Sequence, residues 1–150
     1  TIPVAGSSPV IGQGGADCFH CHAPAAGLFT DEQFHNNAID TVFTDLGRAG
    51  VTNDPDDIAK FKTPTLRNIM VTAPYMHDGR FATIDQVLDH YDDGGFASPT
   101  VDPFMKFTSP DMHLGLNPVK RQQIIAFLNS LTDEEFLNMP AFQDPGPPTP

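Results

Sequence analysis

Both cysteines of this 150-residue chain lie in one short segment, and that grouping limits what the chain can fold around. The segment reads Cys18-Phe19-His20-Cys21-His22. The Cys-x-x-Cys-His spacing is typical of a c-type haem attachment site. On one helical turn, residues three and four apart share a face, so Cys18 and Cys21 can reach the haem vinyl groups while His22 presents its imidazole to the iron. We therefore expect one covalently attached haem c.

Two other uses of this segment are alternatives to haem attachment. A redox dithiol of the thioredoxin kind would sit in a strand-helix-strand pattern, which the sequence does not show. A structural zinc site would show a second close pair of ligands. The other histidines are instead scattered singly along the chain, at His35, His77, His90 and His113. Haem is the favoured interpretation.

The charge balance restricts the class of partner. The chain has 8 Lys and Arg against 19 Asp and Glu, a formal net charge of −11. This excess argues against nucleic acid and favours a basic redox partner, although solubility explains it equally well. No run approaches the ~18 apolar residues of a membrane span. The chain begins without a leader, and haem c is attached outside the cytoplasm, so we expect a periplasmic or exported protein.

The sequence predicts one domain with two irregular ends. Residues 1–15 are predicted to be an extended linker, residues 16–142 the haem domain, and residues 143–150 a proline-rich tail. Fifteen prolines and twelve glycines indicate many turns. We expect an all-α domain with four to five helices around one covalent haem and long irregular loops.

Four helices and one further turn are predicted. A helix at about residues 16–22 would hold the haem motif, and a short one is expected at about Asp31–Asn36. The next opens at Thr83, with Gln86 completing a capping box, and ends before Gly94. The last helix starts after Asn117 with Pro118 at its first position. Its apolar stripe consists of Ile124, Ile125, Phe127, Leu128 and Leu131, and Thr132–Glu135 could cap a further short turn. No strand alternation is recognised.

A longer resemblance extends through the middle of the chain. Residues 61–68 read Phe-Lys-Thr-Pro-Thr-Leu-Arg-Asn, and residues 72–83 read Thr-Ala-Pro-Tyr-Met-His-Asp-Gly-Arg-Phe-Ala-Thr. With the haem motif and Phe34-His35-Asn36, they resemble the carboxy-terminal haem domain of the bacterial dihaem cytochrome c peroxidase and MauG family, over about residues 16–132. The resemblance implies a cytochrome c-like domain of the electron-accepting kind.

The resemblance also implies a second haem domain as a partner. The family's peroxidases have two haem motifs and typically a tryptophan between their haems, whereas this chain has one motif and no tryptophan. Two interpretations stay open. The chain is either a monohaem electron-transfer protein or part of a dihaem cytochrome c peroxidase or MauG-like oxidase acting on hydrogen peroxide.

The sixth ligand of the iron is the main unknown of the predicted site. The candidates are Met76, Tyr91, Met105 and Met112, together with the histidines. In the family the distal ligand follows the histidine that matches His77 by fourteen residues, which gives Tyr91. Tyrosine there resembles the MauG-type branch. We expect Tyr91 to bind the iron, with Met76 as the alternative; otherwise Tyr91 is a core residue and Met76 an apolar filler.

Further residues are expected around the haem. Arg67 could pair with a haem propionate, because a guanidinium matches a carboxylate, or it could simply be a surface residue. His77 could hydrogen-bond near the haem edge or serve only a turn. The family's calcium site implies carbonyl ligands at Thr72 and Pro74. The expected walls of the pocket, which could equally be ordinary core, are Phe19, Phe29, Phe34, Leu66, Ile69, Ile84, Leu88 and Phe104.

Overall fold

The computed structural model describes residues 16–105, 114–144 and 146. The predicted linker at residues 1–15, most of the predicted tail and the ligand candidate Met112 lie outside this part of the chain. Within the described ranges, no helix combines the length and apolar character needed to cross a membrane.

Regular structure is mostly helical. Four α-helices lie within the described residues: α1 (Ala49–Thr52), α2 (Ile84–Asp93), α3 (Pro118–Ser130) and α4 (Glu134–Leu137). Two strands, β1 (Phe34–His35) and β2 (Phe61–Lys62), pair antiparallel, with Phe34 opposite Lys62 and His35 opposite Phe61. The small sheet means that the all-α prediction is only partly confirmed. Short 3₁₀ turns occupy Cys18–His20, Ala25–Gly27, Pro55–Asp57, Ile69–Val71, Pro103–Met105 and Pro140–Phe142.

Helix α2 begins and ends where the sequence predicts. The Thr83 side chain accepts a hydrogen bond from the Gln86 backbone N–H, and the Gln86 side chain accepts one from the Thr83 backbone N–H. This capping box satisfies donors that have no partner inside the helix. At the other end Gly94 has φ 79°, a left-handed conformation that glycine adopts without a Cβ clash.

Helix α3 packs against α2 to form the core. Asn117 caps α3 by accepting a hydrogen bond from the Lys120 backbone N–H, and Pro118 is its first residue, as predicted. The Arg121 guanidinium reaches both Asp89 and Asp92 of α2. Phe127 of the predicted stripe is 46% exposed. The buried apolar residues of this core are Tyr75, Ile84, Leu88, Leu114, Leu116, Leu128 and Leu131.

Two of the predicted helices differ in the structure. The haem-motif helix is only a 3₁₀ turn, Cys18–His20, followed by one hydrogen bond from the His22 N–H to the Cys18 carbonyl. The helix predicted at Asp31–Asn36 is wrong, because this stretch contains β1. The Asp31 carboxylate accepts a hydrogen bond from the Gln33 N–H, and Glu32 has φ 60°, so the chain turns there instead of coiling.

The segment after β1 is tied to the loop that follows α2. Asn36 is 1% exposed, and its side-chain amide donates to Ser98 and Thr100. The Ala38 carbonyl accepts from the Phe96 N–H at 2.7 Å. These bonds hold residues 36–38 beside the carboxyl end of α2, which is the helix that carries Tyr91.

Candidate haem site

The His22 imidazole has one nitrogen engaged by the protein. Its Nδ1 lies 3.0 Å from the carbonyl oxygen of Phe29. Because a carbonyl oxygen only accepts, Nδ1 carries the proton and Nε2 keeps its lone pair. Burial lowers the pKa of His22, although backbone hydrogen bonds with Phe29 and Pro64 and the charge of Asp31 act in the opposite direction. The result is a neutral, oriented imidazole, which is the form that binds a metal.

The two thiols of the motif are unpaired and protonated. They form no disulfide. Burial, with the negative charges of Asp102 and Asp31, raises the pKa of Cys21 to about 11. Cys18 is the more exposed residue, yet desolvation of its thiol also raises its pKa. A reactive redox dithiol needs a lowered pKa, so these values disfavour that alternative.

Tyr91 faces the haem motif from α2. Burial raises the pKa of its hydroxyl, a hydrogen bond with the Asn37 side chain lowers it, and the nearby Cys18 and Cys21 add to the increase. Met76, the alternative ligand, has φ 71°, and its sulfur accepts a hydrogen bond from Asn37 Nδ2 at 3.5 Å. Asn37, a residue that the sequence did not single out, thus contacts Met76 and affects the pKa of Tyr91.

The predicted wall residues fall into two groups. Ile84 and Leu88 are buried in the core, and Phe29, Leu66 and Ile69 pack against it. Phe19, Phe34 and Phe104 are exposed instead. Phe104 stacks on His20 of the motif at 4.2 Å between ring centroids, whereas Phe34 lies under the Arg48 guanidinium at 4.9 Å. Phe34 thus contacts a surface arginine and is not part of the core cluster.

Arg67 contacts the loop that follows the motif. Its Nε donates to the Gly27 carbonyl at 2.7 Å, and its guanidinium lies over the Phe29 ring at 5.8 Å from the centroid. One edge of the guanidinium therefore holds the loop that carries the carbonyl partner of His22. A pairing of Arg67 with a propionate stays a prediction.

Three other predicted residues are exposed. Thr72 and Pro74 lie at the surface, and the Thr72 hydroxyl donates to the Ile69 carbonyl. Their calcium role stays a prediction. His77 stacks on Phe61 and lies 2.7 Å from the Asp45 carboxylate, so its ring connects two loops.

His35 is held between two carboxylates, an arrangement that sequence reasoning missed. Its Nε2 lies 2.8 Å from Asp31 and its Nδ1 2.5 Å from Asp102. Asp31 is four residues before His35, a spacing that could have suggested the first contact; nothing in the sequence indicates the second. Among the described residues, Cys21, Asp31 and His35 are the one group of three whose ligand atoms lie close enough together to hold a metal ion.

The donor set fits a c-type haem better than a zinc ion. The motif supplies two thiols and a neutral histidine, and the desolvated Tyr91 hydroxyl lies close enough to both cysteines for them to raise its pKa. The group around Cys21 excludes Cys18 and His22, and both nitrogens of His35 are already engaged by carboxylates. Residues Cys18, Cys21 and His22 could hold the haem, and Tyr91 or Met76 could supply a second ligand to its iron.

Comparisons with known proteins identify relatives of one kind. The chain is 36% identical over 124 residues to the methylamine utilization protein MauG of Methylorubrum extorquens, a match that covers 81% of this chain and 32% of that protein. It is 41% identical over 91 residues to the cytochrome-c peroxidase IdrP2 of Denitromonas iodatirespirans, covering 61% of this chain and 22% of that protein. This chain belongs to the cytochrome c peroxidase and MauG family. No family model matches it.

A solved structure of a MauG relative has the same fold. The crystal structure of a MauG-like protein associated with microbial copper homeostasis superposes with a TM-score of 0.70 at 33% identity. The match covers 87% of this chain and 46% of that one. The chain thus spans between about a fifth and a third of the curated MauG and peroxidase relatives described above. This coverage is consistent with a carboxy-terminal haem domain of the family.

Proposed function

We propose that this domain transfers single electrons through one c-type haem attached covalently at Cys18 and Cys21. The observation that carries the proposal is the contact of His22 Nδ1 with the Phe29 carbonyl, because it leaves Nε2 as a neutral ligand beside two unpaired thiols. When bound, the haem supplies an iron that alternates between the ferric and ferrous states. Addition of each thiol across a vinyl group forms a thioether and needs no change in oxidation state.

The protein's own contribution is to orient ligands and limit their movement. Phe29 orients the His22 ring through its carbonyl, and Arg67 holds the loop between them through Gly27. Tyr91 is proposed as the distal ligand from α2. Two protein ligands leave the coordination of the iron unchanged between oxidation states. A hard tyrosine oxygen favours ferric iron and lowers the potential, whereas a methionine sulfur raises it.

The proposal is tested on the matured holoprotein. We expect one haem's added mass, a Soret band and, after Tyr91→Phe, an altered ferric optical spectrum because the oxygen ligand is lost. Tyr75→Phe is a matched control, since the chain has two tyrosines and the Tyr75 hydroxyl donates to the Ile69 carbonyl inside the core. An unchanged spectrum in Tyr91→Phe would remove Tyr91 from the coordination sphere. Colourless matured protein would end the haem proposal.

A second candidate function is supported by the relatives. Proteins named cytochrome-c peroxidase and MauG match this chain over only part of their length. This domain could therefore serve as the electron-accepting half of a dihaem peroxidase or MauG-like oxidase that acts on hydrogen peroxide. Steady peroxide turnover by the matured single domain would favour this enzyme function over a pure electron relay.

The proposed partners and location follow from charge and cofactor chemistry. The net charge of −11 suits a basic redox partner, and a second haem domain is the other proposed partner. Electron exchange with a small basic cytochrome should slow as salt is added; exchange that is insensitive to salt would contradict a charge-steered partner. Because haem c is attached outside the cytoplasm, we place the protein in the periplasm or outside the cell.

A further inference from the structure

The carbonyl that orients His22 belongs to a residue in an unusual backbone conformation. Phe29 has φ 56°, in the left-handed region that residues with a Cβ seldom adopt, and its carbonyl oxygen lies 3.0 Å from His22 Nδ1. The direction of this carbonyl depends on the peptide units that flank Phe29. Contacts that fix those neighbouring units therefore fix the oxygen that His22 meets.

Two threonine hydroxyls fasten the chain on either side of Phe29. The Thr65 hydroxyl donates a hydrogen bond to the carbonyl of Leu28, which immediately precedes Phe29. The hydroxyl of Thr30, which immediately follows Phe29, donates to the Thr63 carbonyl at 2.8 Å. Thr63 and Thr65 both belong to the segment that follows β2. This one segment thus holds the loop before and after the carbonyl that contacts His22.

The Thr65 hydroxyl is itself oriented by the backbone. It accepts a hydrogen bond from the Arg67 backbone N–H at 3.1 Å. Because a hydroxyl has one proton and a carbonyl can only accept, that proton is donated to Leu28. Arg67 adds a second contact to the same loop, from its Nε to the Gly27 carbonyl at 2.7 Å. The contact of Thr65 is one residue closer to Phe29, so Thr65 acts on the Phe29 carbonyl more directly.

We propose that Thr65 is a positioning residue of the haem site, whose hydroxyl fixes the Leu28 carbonyl and thereby keeps the Phe29 carbonyl against His22 Nδ1. The inference rests on the proposed binding of the iron by His22, and it does not depend on which residue is the distal ligand. A hydrogen bond donated by Nδ1–H raises the basicity of the imidazole, so Nε2 becomes a stronger donor. A stronger donor stabilises ferric iron and keeps the reduction potential low.

The experiment is a potentiometric titration of the matured holoprotein. Thr65→Val keeps the branched shape and removes the hydroxyl, so the Phe29 carbonyl is held less firmly and Nε2 donates less. We expect the ratio of ferric to ferrous protein at a given potential to fall about threefold, which raises the reduction potential by ~28 mV for one electron. This change is smaller than the roughly tenfold effect of losing a ligand's own hydrogen-bond partner, because Thr65 acts through the neighbouring peptide unit.

Thr52→Val is the matched control. The Thr52 hydroxyl also accepts a hydrogen bond from the backbone N–H two residues further on, that of Asp54, and it donates to the Asp57 carboxylate. Its described hydrogen bonds join only residues 48–57. We therefore expect the native potential in Thr52→Val. Thr65→Ser retains the hydroxyl and should also keep the native potential.

The outcomes separate this inference from the proposed function. A potential that rises in Thr65→Val but not in Thr52→Val or Thr65→Ser supports the inference. If Thr65→Val carries its haem and keeps the native potential, the role of Thr65 is overturned and the proposed haem attachment stands. An equal rise in Thr65→Ser would also overturn that role, because the hydroxyl would not be responsible. If the matured native protein is colourless, both proposals fail together. Thr65→Ala, compared with Thr52→Ala, serves the same test if the valine variant does not mature.

Discussion

Two neighbouring histidines of this domain are driven to opposite protonation states. Burial of the His22 ring lowers its pKa, although its hydrogen bond to the Phe29 carbonyl acts in the opposite direction. Burial also acts to lower the pKa of His35, but the hydrogen bonds that its ring donates to Asp102 and Asp31 outweigh this effect and raise the pKa. Desolvation favours the neutral imidazole, whereas a carboxylate pair favours the imidazolium. His22 is thus suited to bind metal, and His35 to bind its two carboxylates.

At the residue scale, His35 predicts a pH dependence of stability. A group whose pKa is raised on folding stabilises the folded state fully below its unfolded pKa, about 6.5, and loses that contribution as pH rises through the folded value. We expect His35→Asn to lower the free energy of unfolding of the holoprotein by ~1 kcal/mol more at pH 5.5 than at pH 8.5, a modest difference because the pair is partly exposed and screened. Denaturant titrations at the two pH values measure it.

The sign of this difference is the decisive result. A larger loss at pH 8.5 than at pH 5.5 would mean that His35 is neutral in the folded protein. His77→Asn is a comparison variant that removes a more exposed histidine–carboxylate pair, the one between His77 and Asp45.

At the scale of the element, α2 is the helix on which the site depends. Its buried side carries Ile84 and Leu88, which pack in the core, and Tyr91 continues toward the haem motif. The capping box at Thr83 fixes where the helix begins, and Gly94 fixes where it ends. The position of Tyr91 relative to the first turn is therefore determined by local chemistry at both ends.

Removal of the α2 cap should destabilise the domain. Thr83→Ala leaves the Gln86 backbone N–H without the side-chain acceptor that it has in the structure. We expect the free energy of unfolding to fall by ~1 kcal/mol, the usual cost of an N-cap exchange to alanine. Thr83→Ser retains the hydroxyl, so its free energy of unfolding should fall by only about a few tenths of a kcal/mol. Equal stability of the alanine variant and the native protein in denaturant titrations would show that the cap contributes nothing.

At the scale of the whole molecule, contacts between distant segments build the distal side of the site. Gly95 has φ 66° and lies directly against Ala38, next to Asn37. A Cβ at Gly95 would lie 2.5 Å from the Ala38 carbonyl oxygen and 2.8 Å from Cε1 of His90. The first contact is with backbone, which cannot rotate away. The absence of a side chain at Gly95 thus allows the close approach of α2 to the segment carrying Asn37.

Gly95→Ala should therefore lower the free energy of unfolding by more than the left-handed backbone conformation at this position alone requires. Gly115→Ala is the matched control, because Gly115 has φ 64° but no atoms within 4 Å of an added Cβ. We expect Gly95→Ala to lower the free energy of unfolding by ~1–3 kcal/mol more than Gly115→Ala does, which is the range for forcing atoms into a packed region. Thermal or denaturant unfolding of both variants measures the difference. Equal losses would show that the contact with Ala38 relaxes without cost.

Local sequence signals predict some helices and strands correctly and do not predict others. Helix-capping signals act within a few residues, and both long helices begin where these signals predict. The signals are the Thr83 and Gln86 pair, Gly94, and Asn117 followed by Pro118. The stretch Asp31–Asn36 was wrongly predicted as a helix. Its β1 pairs with β2 about 26 residues away, and its Asp31 turn competes with coiling. A strand of two residues is too short to show the alternation of apolar and polar residues by which strands are recognised in a sequence.

The sequence by itself predicts the chemistry proposed for the site, which is one Cys-x-x-Cys-His motif and a tyrosine at the matching distal position, and it determined where the two capped helices begin. Only the tertiary structure decided which groups surround those ligands. The Phe29 carbonyl on His22, the Asp102 carboxylate on His35 and the Asn37 amide at Met76 all join residues that no spacing relates. Motifs and caps act over one helical turn, whereas the protonation and donor strength of a ligand depend on which distant groups packing brings into contact with it.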